Sequence, residues 1–587
     1  MLKNSILIAA FAALIAAAGA CAPARDTGLA EVVIGGPVPA VPYYHMRAAI
    51  RLEEKGPFEI KRVSANGHPI IHFEIRDMEG RMVEDKPYPY TWPLFAADKI
   101  KDFVFQNPWL IARLDWQNGE TYDLEVEIHR EGGRTPLILK TQARAPESGG
   151  YWDPRWPYYK SVVVSEDFGL DRTDEPVEFS LVFYPDQISD LEKELRIVQL
   201  DSRGNATVLP SQSYDIRSYL KEDVERRDED GTVRPLYWLP SVYAKVVVPV
   251  SVQAHRSAVL LAFYGNPEAE KPADPPVLRI SGEGLGMTVA NESYSIKLHP
   301  DSGMLDEIRL LDGPDVTLLH KLETNGAIHW NPDAYSPPRP WVHASDWNPP
   351  EDYSFVDGPV MFALHRKGVM PDMPEIALGI TYKFFSHSPY FLMTSYMEIL
   401  EDIPLQTLRN AEIVLDHKLI DSAAWLEPSS RVPRQIRLDS VPLLTEIHLP
   451  LDTQWMSFFH TGTKIAFGGI PMESSKAGLN LEPMVCNPYL YMIRGPWVYW
   501  TRVLVAPYLT QNIQQIVPVP AGNVYWEKWA YLPYALGEGQ DRFKPLSDLE
   551  ARLSRPLRIS VVDERDPRVR IPDEIYTDPT KTGWEER

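Results

Sequence analysis

Short runs in which apolar and polar residues alternate recur along this chain, and they limit its fold more than anything else. They include 121–128 (TYDLEVEI), 177–183 (VEFSLVF), 243–250 (YAKVVVPV) and 293–298 (SYSIKL). A period of two puts successive side chains on opposite faces of a strand, so each run predicts a half-buried strand. Amphipathic runs with a helical period are rare, and 54 prolines punctuate the chain. Many short strands separated by turn residues predict stacked sandwiches, an all-β architecture with few short helices. Helices are expected only at 546–553, with Ser547 as N-cap, and near 189–195.

Proline, glycine and charge clusters divide the 587 residues. A basic start, an apolar run over 6–18 and the small residues before Cys21 predict a signal peptide over 1–20. A tether is expected over 21–42 and an N-terminal β-sandwich over 43–142. The stretch 145–150 reads as a linker, followed by a second β-sandwich over 151–267. A large sandwich spans 277–507, and a C-terminal segment with a short helix and a strand spans 508–587. Only two cysteines are present, Cys21 and Cys486, so the fold is expected to stand on its core without disulfides.

The net charge is −22, which argues against nucleic acid as a partner. There is no glycine-rich phosphate loop, serine elbow or dinucleotide fingerprint. Histidine and cysteine do not cluster as zinc ligands. No cofactor is predicted, while calcium held by carboxylates and carbonyls stays open.

Two segments resemble known modules. The stretch 258–269 (AVLLAFYGNPEA) resembles the closing strand of β-sandwich modules in bacterial cell-surface and polysaccharide-degrading proteins, and 171–177 (DRTDEPV) fits their opening strand. The stretches 289–298 (VANESYSIKL) and 301–308 (DSGMLDEI) are similar to the start of galactose-mutarotase-like supersandwich domains, found in polysaccharide lyases, some mannosidases and epimerases. This resemblance implies a mutarotase-like supersandwich over 277–507 and work on a polysaccharide or oligosaccharide, without choosing the reaction. The small residues before Cys21 resemble a bacterial lipobox. That implies lipidation of Cys21 and a cell-envelope address, with plain secretion as the alternative.

Chemistry-bearing residues crowd between 324 and 412. Trp330 and Trp347 sit in histidine-containing loops and are candidates for stacking on sugar rings, with Tyr396 and Glu398 as further binding residues. For β-elimination from a uronate-containing glycan, His329, His343 and Tyr382 are the candidates for proton transfer. Arg366, Arg409 and Asn410 would hold the developing charge. For hydrolysis, two carboxylates among Glu398, Glu412, Asp346 and Asp333 would flank the bond. A hairpin linking 389–400 to 408–415 would bring Glu398 beside Glu412 and raise one of the two pKa values. Strict alternation would set Asn410 and Glu412 on one face, opposite Arg409. A third reading is a non-catalytic glycan-binding surface protein.

Overall fold

The alternating runs become the inner and outer sides of sheets. In the strand Thr121–Arg130, Tyr122, Leu124, Val126 and Ile128 are buried while Thr121 and Asp123 face solvent. The computed structural model describes residues 29–562 apart from 35–46, 71–72, 77–81, 87–104, 115, 117–118, 134, 146–151, 154, 186, 201–205, 220–224, 228–232, 236–240, 273–276, 312–315, 320–331, 417–418, 431, 444, 480–487, 493–496 and 506–515. The signal peptide, Cys21 and Cys486 lie outside the described residues. So do His329 and Trp330.

The first unit packs a five-stranded sheet on a four-stranded sheet, around a core that includes Ile50, Ile60, Leu110 and Leu124. Its edge strand Leu29–Ile34 pairs with Arg47–Leu52. That strand lies within the expected tether, so the tether reading fails there: Ile34 and its neighbours alternate and find a partner edge.

The second unit packs a five-stranded sheet on a three-stranded one around Val162, Leu181, Val248 and Leu260. The C-terminal strand Arg558–Val562 returns to this sheet and pairs antiparallel with Tyr158–Ser165. Just before it, the helix Lys544–Leu553 lays Leu546 and Leu549 against Trp455, Phe459 and Phe543. Gly468 permits this approach, because a Cβ there would stand 2.5 Å from a Leu546 methyl group. Buried Arg172 fixes the end of the helix. It pairs with Glu166 and Glu175 and donates to the carbonyl oxygens of Arg552 and Arg555. The expected C-terminal segment is therefore built into the two preceding units.

The third unit carries the candidate residues. A nine-stranded antiparallel sheet is covered on one face by a five-stranded and a six-stranded sheet. Phe362, Ile380, Phe384, Met393 and Met397 from the large sheet meet Tyr294, Ile308, Leu408 and Ile413 from the other two. Each such side chain contributes about 1.5–3 kcal/mol of apolar burial. The opposite face of the large sheet is partly covered by the C-terminal helix and by the second unit, through contacts such as Lys383 Nζ to Glu178 at 2.7 Å. The rest of that face stays open.

Candidate functional site

The strand Thr407–Asp416 belongs to the six-stranded sheet, between the strands Asp333–Tyr335 and Trp497–Val505. It does not alternate strictly. Its register shifts between Asn410 and Ile413, and Ala411 takes a left-handed φ of +51°. This bulge adds a residue to one strand and reverses the facing of the side chains beyond it. Arg409 and Glu412 therefore share one face, and Asn410 points to the other. The expected Asn410–Glu412 face is thus corrected by one extra residue.

On the outer face a row of polar groups assembles. Arg409 Nε donates to Asp333 Oδ1 at 2.9 Å, and Arg409 Nη2 donates to Asp333 Oδ2. Arg409 Nη2 also stands 3.2 Å from Glu412 Oε2. Trp341 Nε1 donates to Asp333 Oδ2 at 3.2 Å. The Arg409 guanidinium lies 4.7 Å over the Trp341 ring, which stacks on Tyr335 at 4.9 Å. His343 pairs across the strands with Asp333. Its Nε2 is 3.8 Å from Asp333 Oδ2 and its Nδ1 is 3.3 Å from Asp346 Oδ2. Asp333 and Glu412 are fully buried, whereas the His343 side chain is 12% exposed and Asp346 41%. His343 and Asp346 thus form the rim of a group whose charges lie inside.

The two carboxyls take opposite protonation states. Burial alone would raise both. At Asp333 the Arg409 guanidinium, with the nearby imidazole, outweighs burial, so the net direction is down. At Glu412 burial is the largest cause, and Asp333 adds to it against the pull of Arg409, so its pKa is well above the ordinary carboxylate range. Asp333 is the anion and Glu412 the neutral acid. Arg409 supplies the positive charge between them. Among the described residues, no three His, Cys, Asp or Glu side chains group as a cation cage.

The other candidates go elsewhere. Asn410 turns into the sandwich, where its amide donates to Ser395 and, at 2.8 Å, to Glu527. Glu527 is a further buried carboxyl, raised by burial and standing 3.0 Å from Arg502. The sequence hid it inside an aromatic run. Tyr382 and Arg366 are both fully buried, with the guanidinium 4.7 Å over the phenol ring. They face the inner side of the large sheet and reach no open surface, so neither can touch a glycan. Trp347 is 5% exposed and donates Nε1–H to the Val369 carbonyl at 2.8 Å, so it staples its loop and is not a sugar platform.

Tyr396 and Glu398 lie on the outer face of the nine-stranded sheet, where the Tyr396 hydroxyl donates to Glu398 at 2.8 Å. The strand Phe391–Ile399 pairs with Met373–Phe385 and Val524–Ala535, not with Thr407–Asp416. The expected hairpin is therefore absent, and Glu398 and Glu412 face opposite sides of the sandwich. Strand order, which short-range pattern does not encode, separates them.

No protein-family model matches this chain, and no curated protein matches it. Among solved structures it is similar to the galactosidase domain of alpha-galactosidase-sucrose kinase, AgaSK, at 9% identity and a TM-score of 0.27, over 44% of this chain and 42% of that one. It is also similar to the GH36 alpha-galactosidase AgaA from Geobacillus stearothermophilus, at 8% identity and a TM-score of 0.25, over 44% of this chain and 41% of the other. The matched part spans about two fifths of each of those chains, and overlap this loose transfers neither fold nor activity.

Proposed function

We propose that this chain is an exported carbohydrate-active enzyme in which His343 moves the proton. One observation carries the reading. The His343 imidazole is held between the carboxylates of Asp333 and Asp346 at the rim of a buried row. A histidine oriented by carboxylates and reaching solvent is the arrangement a general base needs.

The geometry favours β-elimination over two-carboxylate hydrolysis. Flanking acids in glycosidases stand roughly 5–5.5 Å or 6.5–9.5 Å apart so that the bond fits between them. Asp333 and Glu412 instead share one Arg409 guanidinium and are closed off from solvent, so no bond of a sugar chain reaches between them. In the elimination, His343 takes the proton beside a uronate carboxyl. The C4–O bond breaks as the C4–C5 double bond forms, and the imidazolium returns a proton to the leaving oxygen. Asp333 orients the ring, while Arg409 and neutral Glu412 keep Asp333 ionised and in place.

The test is incubation with a panel of uronate-containing polysaccharides. Far-ultraviolet absorbance of an unsaturated product supports elimination, and His343→Ala is expected to lower its rate by about 10²–10⁴-fold. New reducing ends without that absorbance would establish hydrolysis instead. Neither signal, with retention on a glycan column, would reduce the protein to a binder. The export part of the proposal includes a lipid on Cys21. It is checked by metabolic labelling with a fatty acid, which Cys21→Ser should abolish.

A further inference from the structure

The outer face of the nine-stranded sheet carries an open trough of about 620 Å³, on the side of the sandwich opposite His343. That volume lies within the range of small-molecule sites, about 300–1,000 Å³. Strand register sets what lines it. Tyr396 stands directly across from Trp526, and Gly379 across from Tyr396 on the other side. Neighbouring strands lie about 4.8 Å apart, so both rings stand on the same open face of the sheet. Tyr396 is 38% exposed, and among the described residues no aromatic ring stacks on either one. Gly379 leaves a dip beside them. A Cβ there would meet only His365 at 3.8 Å and Tyr396 at 3.9 Å.

A second row runs beside the rings: His365, Thr381, Thr394 and Lys528 are successive cross-strand partners. His365 Nδ1 lies 2.7 Å from Thr381 Oγ1. Partial burial, with Lys367 and Arg366 nearby, lowers the His365 pKa, which favours the neutral imidazole. The imidazole and the two hydroxyls both donate and accept hydrogen bonds. The cations are already matched. Lys367 pairs with Asp352 at 3.0 Å, and Lys528 lies 3.8 Å from Glu473. Glu351 and Glu398 add further negative charge at the borders.

We infer that this trough is a second, non-catalytic glycan site. Its ligand is a neutral chain of equatorially substituted sugars, such as a β-linked glucan or xylan. The flat C–H faces of such units stack on Tyr396 and Trp526, and their hydroxyls meet the His365–Thr381–Thr394 row. A polyanion would add charge to a face whose cations are taken. The site holds neutral stretches of a glycan in place without contacting the reaction at His343.

Calorimetric titration of the whole protein with soluble β-glucan, xylan and polygalacturonate tests this directly. Binding of a neutral glycan is expected, and any binding of polygalacturonate should be unchanged by substitutions in the trough. Trp526→Ala should weaken neutral-glycan binding about tenfold. Gly379→Val should do the same by filling the dip, since a Cβ at that position meets only ordinary van der Waals contacts. His343→Ala should bind like the wild type. The measurement needs no turnover, so its outcome is separate from that of the elimination assay. Equal affinity for neutral glycan in wild type, Trp526→Ala and Gly379→Val, polygalacturonate binding that Trp526→Ala weakens, or no binding of either neutral glycan would overturn the inference.

Discussion

Two arginines of the third unit are buried to a similar degree, yet the molecule treats their charge in opposite ways. Arg409 is met by Asp333 and Glu412 and lies over Trp341. Arg366 has for partners the Ser302 carbonyl, the Met304 sulfur and the Tyr382 ring. Its Nε and Nη2 are buried without a hydrogen-bond partner among the described residues, and burial lowers its pKa. Taking a guanidinium out of water is costly unless a partner offsets it. At Arg409 the offset is a titratable pair that connects to the rim through His343. At Arg366 it is a dipole and a π-face inside packed hydrocarbon. One arginine belongs to chemistry and the other to architecture.

The largest effect that would break this comparison is expected from Arg409→Met. It strands the Asp333 charge beside Glu412 in a dry site and should cost about 3–5 kcal/mol in denaturant unfolding. A loss no greater than that of a surface arginine would mean the pair is hydrated and the comparison false.

The pH dependence sharpens it next. The Asp333 contribution is present above its ordinary value of 3.8 and is lost as pH falls, because its folded pKa is depressed. Glu412 behaves oppositely. Its folded pKa is raised, so its contribution is intact below its ordinary 4.5 and erodes as pH rises. Glu412→Gln copies the neutral acid at every pH, and its melting temperature should gain on the wild type from about pH 4.5 upward. Asp333→Asn should lose at neutral pH and converge on the wild type in acid. Parallel curves for all three proteins would refute the split protonation.

Arg366→Met is expected to fall within about 1–2 kcal/mol of the wild type, and on the stable side if the burial cost of the cation outweighs the Ser302 contact. A loss as large as that of Arg409→Met would show a charged partner at Arg366. The smallest effect belongs to Tyr382→Phe. Removing one buried hydroxyl should cost about 1 kcal/mol and leave turnover unchanged, because no substrate reaches it. A collapse of activity would return Tyr382 to the reaction.

How far the residues themselves announced this arrangement differs from case to case. Met393, Met397 and Ile399 were readable as core from alternation alone, and they are. His343, Arg409 and Glu412 were readable as candidates by type, and Asp333 as a carboxylate alternative. Their convergence depends on Ala411, whose unusual φ no residue-type rule would have suggested. His365 had no signal. It alternates with Arg366 on one strand, and only the sheet's two coverings made one residue solvent-facing and the other core. Glu527 was masked by Tyr525, Trp526 and Trp529, because an aromatic run reads as packing whichever face is wet.

The order of amino acids alone determined that this chain builds sheets and which side chains share a side of each strand, because a period of two is a local property of the extended backbone. Tertiary structure decided which of those sides is sealed, which is open, and which carboxyl keeps its proton. Those outcomes depend on what packs against a face, on strand order, and on one inserted residue in a ladder. All three are set by contacts between segments far apart in the chain.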